Sequence, residues 1–231
     1  MLPVVILAGG LATRMKPITE KIPKSLIELK GKPFIIHQLS YIKSQGIQKI
    51  VLCIGHLGHM IQSLIGNGEA LGLDIQYSLD GDKLLGTGGA IKKSLPLLKE
   101  DFFVLYGDSF LPINYKNVEE AYVLSKKNAL ITIVKNNNQW DKSNVEFESG
   151  KLIEYNKHHP SQRMHYIDYG LSVLNQSIFN AYHENEPFDL SDLYHKLSLH
   201  QHLAGFETFE RFYEIGSQDG LKETEDYLSK V

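Results

Sequence analysis

LPVVILAGGLATRMKPITEKIPKS, residues Leu2 to Ser25, is the stretch from which the fold of this chain is read. A short apolar run, Val4 to Leu7, leads through Ala8 into a glycine pair, Gly9 and Gly10. Arg14 follows four residues later, and a Pro23-Lys24 step closes the segment. An apolar run that breaks into glycines is the pattern of a buried strand feeding a tight loop, where backbone N–H groups are free to cradle an anion. Arg14 and Lys24, two cations in the following turn and loop, imply an anion of several charges. A nucleoside triphosphate fits that description.

The pattern repeats outward from this strand. Further apolar runs at Lys49–Ile54, Asp74–Ser78, Phe102–Tyr106 and Ala129–Val134 read as strands. Between them, Pro33–Gln45, Gly58–Ile65, Gly89–Leu97 and Val118–Lys126 carry helical periodicity, with Pro33 placed as a first helical residue and Gly46 as a stop. Continuous apolar strands alternating with helices predict a mostly parallel sheet covered on both faces. The character changes after Lys135. Asn144–Glu148 and Lys151–Tyr155 around Ser149-Gly150 predict a hairpin, and Tyr166–Leu174 another strand. Helices are expected at Ser191–Leu199 and Gln218–Ser229, with a short strand at Phe212–Ile215 between them. The expected fold is therefore α/β: a Rossmann-like, mostly parallel central sheet with helices on both faces and a β-rich C-terminal lid. The chain is expected to form a single domain over 1–231.

Bulk properties narrow the partners. At 231 residues, with 42% hydrophobic and 22% charged residues, the composition is that of an ordinary globular protein. A net charge of −3 gives no general field for nucleic acid or an anionic membrane, so phosphate recognition must come from local cations. Cys53 is the one cysteine, which excludes an intramolecular disulfide, and its apolar surroundings predict an inert thiol. No run approaches the length of a membrane span and no basic leader precedes Val4, so the cytoplasm is the expected compartment. A homo-oligomer is left open.

Ligands of open parallel sheets gather at the carboxyl ends of the strands. Gly9 and Gly10 end the first predicted strand, and Asp108, in Tyr106-Gly107-Asp108-Ser109, ends the fourth. A carboxylate there suits Mg²⁺, which is held by one or two carboxylates together with substrate phosphates. The plainer alternative for Asp108 is capping of a following helix. Gly86-Thr87-Gly88-Gly89 is a second glycine strip that would let the backbone approach a flat ligand such as a nucleobase. Glu214, between apolar residues in Phe212-Tyr213-Glu214-Ile215-Gly216, is expected to be a buried carboxylate in need of a partner or a metal. The first loop lacks G-x-G-x-x-G, and no Walker A sequence exists, which removes two common nucleotide motifs. No serine lies in a G-x-S-x-G context, and the histidines have no metal-ligand spacing.

In this order, Gly9-Gly10-x-Ala-Thr-Arg14, Pro23-Lys24, Gly86-Thr-Gly-Gly-Ala90, Gly107-Asp108 and Tyr213-Glu214-Ile-Gly216 resemble the sugar-1-phosphate nucleotidyltransferases, over nearly the whole chain. Within that family the sequence is most similar to short heptose- and mannose-1-phosphate guanylyltransferases, and N-acetylmuramate-1-phosphate uridylyltransferases are similar too. The resemblance implies a nucleotide-binding half, 1–135, and a sugar-binding half, 136–231. It implies that Ala8, Gly9 and Gly10 hold the triphosphate and that Gly86, Thr87 and Gly88 flank the base. Arg14 would bind the pyrophosphate leaving group, Lys24 the α-phosphate, and Asp108 with Glu214 the Mg²⁺. Lys157, Asp168 and Gly170 would meet the sugar phosphate and sugar. Ala12 stands where the family has glycine, and Glu214 where it has aspartate.

The implied reaction is direct in-line attack of a sugar 1-phosphate on an NTP, with GTP and a heptose- or mannose-type sugar favoured and no covalent intermediate. The alternatives are a uridylyltransferase acting on an amino-sugar 1-phosphate, a metal-dependent glycosyltransferase, and a catalytically silent nucleotide sensor. Asp108 is followed by Ser109 and Phe110 rather than forming Asp-x-Asp, which disfavours the glycosyltransferase.

Overall fold

In a computed structural model, which describes all residues except 11–14, 16, 82, 138 and 231, the Val4–Leu7 run is the central strand of a nine-stranded sheet. The strands are β1 (Val4–Leu7), β2 (Glu28–Leu29), β3 (Lys32–Pro33), β4 (Lys49–Ile54), β5 (Asp74–Leu79), β6 (Asp101–Tyr106), β7 (Ser109–Phe110), β8 (Ala129–Lys135), β9 (Val145–Glu148), β10 (Lys151–Tyr155), β11 (Tyr166–Asn175), β12 (Leu203–Thr208) and β13 (Tyr213–Glu214). The helices are α1 (Phe34–Ser44), α2 (Gly58–Ile65), α3 (Gly86–Ser94), α4 (Tyr115–Ser125), α5 (Leu190–Leu199) and α6 (Gln218–Leu228).

The sheet runs β10-β9-β11-β6-β1-β4-β5, with β8 paired to β11 and β12 paired to β8. β1 pairs in parallel with β4 and β6, Val4 facing Ile50 on one side and Phe103 on the other. β5 extends this parallel block beyond β4. β11 then enters antiparallel to β6, and the pairings of β8, β9 and β12 turn those three back to the direction of β1. Only β10 and β11 run against the rest, so the sheet is mixed but mostly parallel. The β-rich second half, expected as a lid, is hydrogen-bonded into this same sheet through β11.

Continuous apolar strands form here because both faces are covered. Val4 and Ile6 pack with α1, α2 and α4 through Leu39, Ile61 and Val118. Val5, on the opposite face, packs with α3 and α5 through Ile91 and Leu193. Each such fully buried aliphatic side chain contributes roughly 1.5–3 kcal/mol relative to exposure. A smaller third cluster joins Phe34, Phe110 and Ile215, with Tyr227 against it. It ties α6 and the β7–β13 pair to the first turn of α1.

Three boundaries differ from the sequence expectation for physical reasons. Pro33 is not the first helical residue: its ψ of 138° makes it the residue before α1, and its backbone belongs to β3. α3 starts at Gly86 rather than Gly89, so the glycine strip is the first turn of a helix instead of a loop before it. β12, LAGFET, was not expected because its interior glycine breaks the apolar run, yet it pairs in parallel along all of Leu203–Thr208 with β8. Among the described residues, no helix is long and apolar enough to cross a membrane.

Candidate active site

The carboxyl ends of β1, β4, β5 and β6 interlock through backbone groups. Ala8 N–H donates to Cys53 O at 2.8 Å, Gly107 N–H to Leu7 O at 2.9 Å, and Asp80 N–H to Ile54 O at 3.0 Å. The chains approach so closely here that a Cβ at Gly9 would stand 3.0 Å from Asp80 Oδ2 and 3.1 Å from Gly55 N. A Cβ at Gly55 would stand 2.8 Å from Gly9 O. Gly10 differs, since no described residue lies within 4 Å of its Cβ position. Gly9 is therefore demanded by packing, whereas Gly10 opens onto free space.

That space is a cleft of about 280 Å³ lined by the Ala8–Gly10 turn, Lys24, Ser25, Asp80, Gly86, Thr87 and Asp108, among others. It brings together most of the expected nucleotide residues. Arg14 and Ala12 lie outside the described residues. Lys24 opens a short 3₁₀ turn, Lys24–Leu26, directly after Pro23, whose φ of −57° and ψ of 145° aim the turn inward. Its Nζ donates to Asp108 Oδ2 at 2.8 Å, with the lysine side chain only 13% exposed. This is a charge-assisted contact in a partly desolvated place. Beside it, the buried Ser25 Oγ has no hydrogen-bond partner among the described residues. An orphaned buried hydroxyl costs about 1–3 kcal/mol, which a ligand oxygen in the cleft can offset.

Asp108 sits in the turn between β6 and β7, so it does not cap a helix. Its own O accepts from Ile215 N–H at 3.0 Å, and Ser109 Oγ donates to its Oδ1 at 3.3 Å. Gln38 of α1 reaches this turn from beneath, its Nε2 donating to Tyr106 O at 2.8 Å and to Ser109 O at 2.7 Å. Glu214 arrives through β13, whose register sets it opposite Ser109. It is exposed, not buried as its apolar neighbours suggested. Its Oε1 and Lys24 Nζ converge on the Cβ position of Gly216, at 3.8 and 3.7 Å. Among the described residues no group of three or more His, Cys, Asp or Glu could hold a metal. Two neighbouring carboxylates are nonetheless the donor set that Mg²⁺ uses when phosphates and waters supply the rest.

The glycine strip divides in two. Gly86 and Thr87 line the cleft. Gly88 does not, and a methyl there would overlap the Phe188 ring. Gly88 N–H donates to Phe188 O at 2.9 Å, and a Cβ at Gly89 would lie 2.7 Å from Glu186 O. Thr87 Oγ1 accepts from Leu190 N–H at 2.7 Å and so caps α5. Most of the strip is small because the 186–190 segment presses on it.

The three expected sugar residues stand apart from the cleft lining. Asp168 N–H donates to Asn144 Oδ1 at 3.0 Å, and Gly170 N–H donates to Asp168 Oδ1 at 2.9 Å. Gly170 has φ of +106°, which a side chain would strain, and it marks the register shift where β11 slips against β8. Burial pushes the Asp168 carboxyl up to about 6, against the pull of Gly170 N–H and of Lys157. Tyr106 joins the two regions, lining the cleft and facing both Asp168 and Asp108 electrostatically. Burial pushes the Cys53 thiol up to about 12, so it is inert as expected.

The residues missed by sequence reasoning are Asp80, Ser25, Gln38 and Asn144. Asp80 stands two residues after the predicted strand Asp74–Ser78, as Asp108 does after Phe102–Tyr106. Gln38 carried no signal, being one polar residue on a helical face.

The "Nucleotidyl transferase" family model matches residues 3–226. A D-glycero-alpha-D-manno-heptose 1-phosphate guanylyltransferase of Campylobacter jejuni is 30% identical over 81% of this chain and 82% of its own length. The enzyme of the same name from Aneurinibacillus thermoaerophilus is 27% identical over 97% of both chains. Among solved structures, HddC from Yersinia pseudotuberculosis complexed with GMP-PN superposes with a TM-score of 0.82 at 24% identity, covering 99% of this chain and 100% of that one.

Proposed function

The chain belongs to the nucleotidyl transferase family, and from that premise we propose that it transfers GMP from GTP to a heptose- or mannose-type sugar 1-phosphate. The observation that carries this reading is the Lys24–Asp108 contact of 2.8 Å at the edge of a cleft formed by glycine turns at strand ends. Phosphoryl and nucleotidyl transfer ask a protein mainly for positioning and charge stabilisation, which is what such a cleft supplies. The guanylyltransferase relatives support the choice of base and sugar class.

An oxygen of the sugar 1-phosphate attacks the α-phosphorus in line, forming the new P–O bond. The bond from that phosphorus to the bridging oxygen breaks, and pyrophosphate leaves. The nucleophile is already ionised at neutral pH, so no general base is required. The backbone of Ala8 to Gly10 binds the triphosphate, Ser25 Oγ donates to one of its oxygens, and Lys24 neutralises charge at the α-phosphate. Arg14 attends the leaving group. Asp108 and Glu214 would hold Mg²⁺, which would supply neutralisation of charge on the phosphates. Gly86 and Thr87 border the base, while Lys157, Asp168 and Gly170 meet the sugar phosphate. In this reading the chain acts as one unit in the cytoplasm, residues 1–135 binding nucleotide and residues 136–231 the sugar.

A panel of four NTPs against several sugar 1-phosphates, read by pyrophosphate release, tests the proposal. Release that needs both substrates and is fastest with GTP is expected. Nucleoside diphosphate release from a nucleotide sugar would indicate a glycosyltransferase instead, and fastest release with UTP and an amino-sugar 1-phosphate would move the reading to a uridylyltransferase.

A further inference from the structure

Gln38 lies on the α1 face that packs against the sheet and is 2% exposed, an expensive place for a side-chain amide. Its Nε2 makes two hydrogen bonds, to Tyr106 O at 2.8 Å and Ser109 O at 2.7 Å, while its Oε1 has no partner among the described residues. The two carbonyls bracket the Gly107-Asp108 step. Here the loss on Oε1 is tolerated for a grip on both ends of one turn.

Two backbone holds on this turn come from strands. Gly107 N–H donates to Leu7 O from β1, and Ile215 N–H to Asp108 O beside β13. Lys24 Nζ and Ser109 Oγ meet the Asp108 carboxylate, whereas Gln38 holds the backbone of the turn, and it comes from the helix that follows Lys24 in sequence. Phe34 N–H, in the first turn of α1, donates to Ile27 O at 2.9 Å, and Ile27 N–H donates to Lys24 O at 3.0 Å. One end of α1 is thereby fastened to the lysine turn. One helical turn further on, Gln38 fastens it to the aspartate turn.

We propose that Gln38 is a positioning residue that sets the Asp108 carboxylate at its working distance from Lys24, with α1 as the rigid spacer between them. The proposal rests on the reading of Asp108 as a metal ligand. Groups that orient metal ligands typically matter 10–100-fold in affinity or activity.

The test is Mn²⁺ binding, followed by electron paramagnetic resonance on the full chain with a non-hydrolysable GTP analogue. Gln38→Met keeps the volume and removes both donors. It is expected to weaken Mn²⁺ binding about 10-fold while affinity for the metal-free analogue stays at the wild-type value. Gln38→Glu, isosteric and lacking the amide donors, is expected to weaken Mn²⁺ in the same way, and it decides the matter if the methionine variant does not fold. Wild-type Mn²⁺ affinity in the folded variant overturns the proposal. So does an equal loss of metal-free analogue binding, which would mark a general structural role. Asp108→Asn is the control: if it binds Mn²⁺ as the wild type does, the metal reading itself fails, whatever the Gln38 variants do.

Discussion

The two ends of the site are built on different physics. At the end proposed to hold the nucleotide, four parallel strands stop together and their backbones lock, so that Gly9 and Gly55 have no room for a Cβ and Lys24 meets Asp108 at 2.8 Å. At the end proposed to hold the sugar, a single long strand, β11, slips register at Gly170 and presents a half-buried Asp168 with an exposed Lys157 nearby. One end is a fixed mould of backbone with paired charge. The other is a few side chains on an irregular strand. A mould suits the triphosphate, whose shape is constant, and replaceable side chains suit a sugar, whose hydroxyls vary.

The contrast is open to attack at several points. The largest expected effect is at the mould. Asp108→Ala and Lys24→Ala should each lower turnover by about 10²-fold or more, the usual result of removing one preorganised charge stabiliser, as read by pyrophosphate release at saturating substrates. Near-normal turnover in either would show that the pair is structural.

Next in size is Gly88→Ala. Overpacking against Phe188 should cost about 1–3 kcal/mol of stability, seen as a lower midpoint in urea. KM for the NTP should change little, because this glycine serves packing and not the base. Gly88→Ala combined with Phe188→Leu should recover part of the loss.

Asp168 gives a prediction with a defined sign. Burial raises its carboxyl from 3.8 to about 6, so between those values the folded protein holds a proton that the unfolded chain has released. Stability from this group is fully present below about 4 and is lost as pH rises through about 6. Asp168→Asn should flatten that dependence and stabilise the protein above pH ~6.5, measured by thermal unfolding across pH. The same change should raise KM for the sugar 1-phosphate about 10-fold, from the loss of a charged acceptor. A variant less stable than the wild type at neutral pH would contradict the desolvation argument.

The smallest effect is expected for Lys157→Ala, a severalfold rise in sugar 1-phosphate KM at unchanged kcat, since an exposed lysine acts through solvent-screened attraction. Stronger effects than at Asp168 would invert the comparison.

The same contrast explains what could be read from the sequence. The mould was legible: Val4–Leu7, Lys49–Ile54 and Phe102–Tyr106 are continuous apolar runs because both faces are covered, and each ends at a glycine within two residues. The exposure of Glu214 was not, because Ile215 and Tyr213 set an apolar context on either side of it. The glycine strip misled in a similar way. Three glycines suggest a loop, yet they begin α3, and their smallness answers to a segment about 100 residues away in sequence. Local pattern cannot report a contact of that separation. Gln38 was silent for the converse reason, being a single polar residue whose partners are backbone atoms.

The seam between α3 and residues 186–190 has a bearing on engineering. The break near 135/136, where composition changes, invites exchange of whole C-terminal halves between relatives to alter sugar choice. Yet α5 receives its capping acceptor, Thr87 Oγ1, from the N-terminal half, and Phe188 fills the hollow left by Gly88. A graft cut at 136 would separate each member of these two pairs from its counterpart. A transplant that folds must carry the 186–190 segment and the Gly86–Gly89 turn together, as one unit inherited from the same parent.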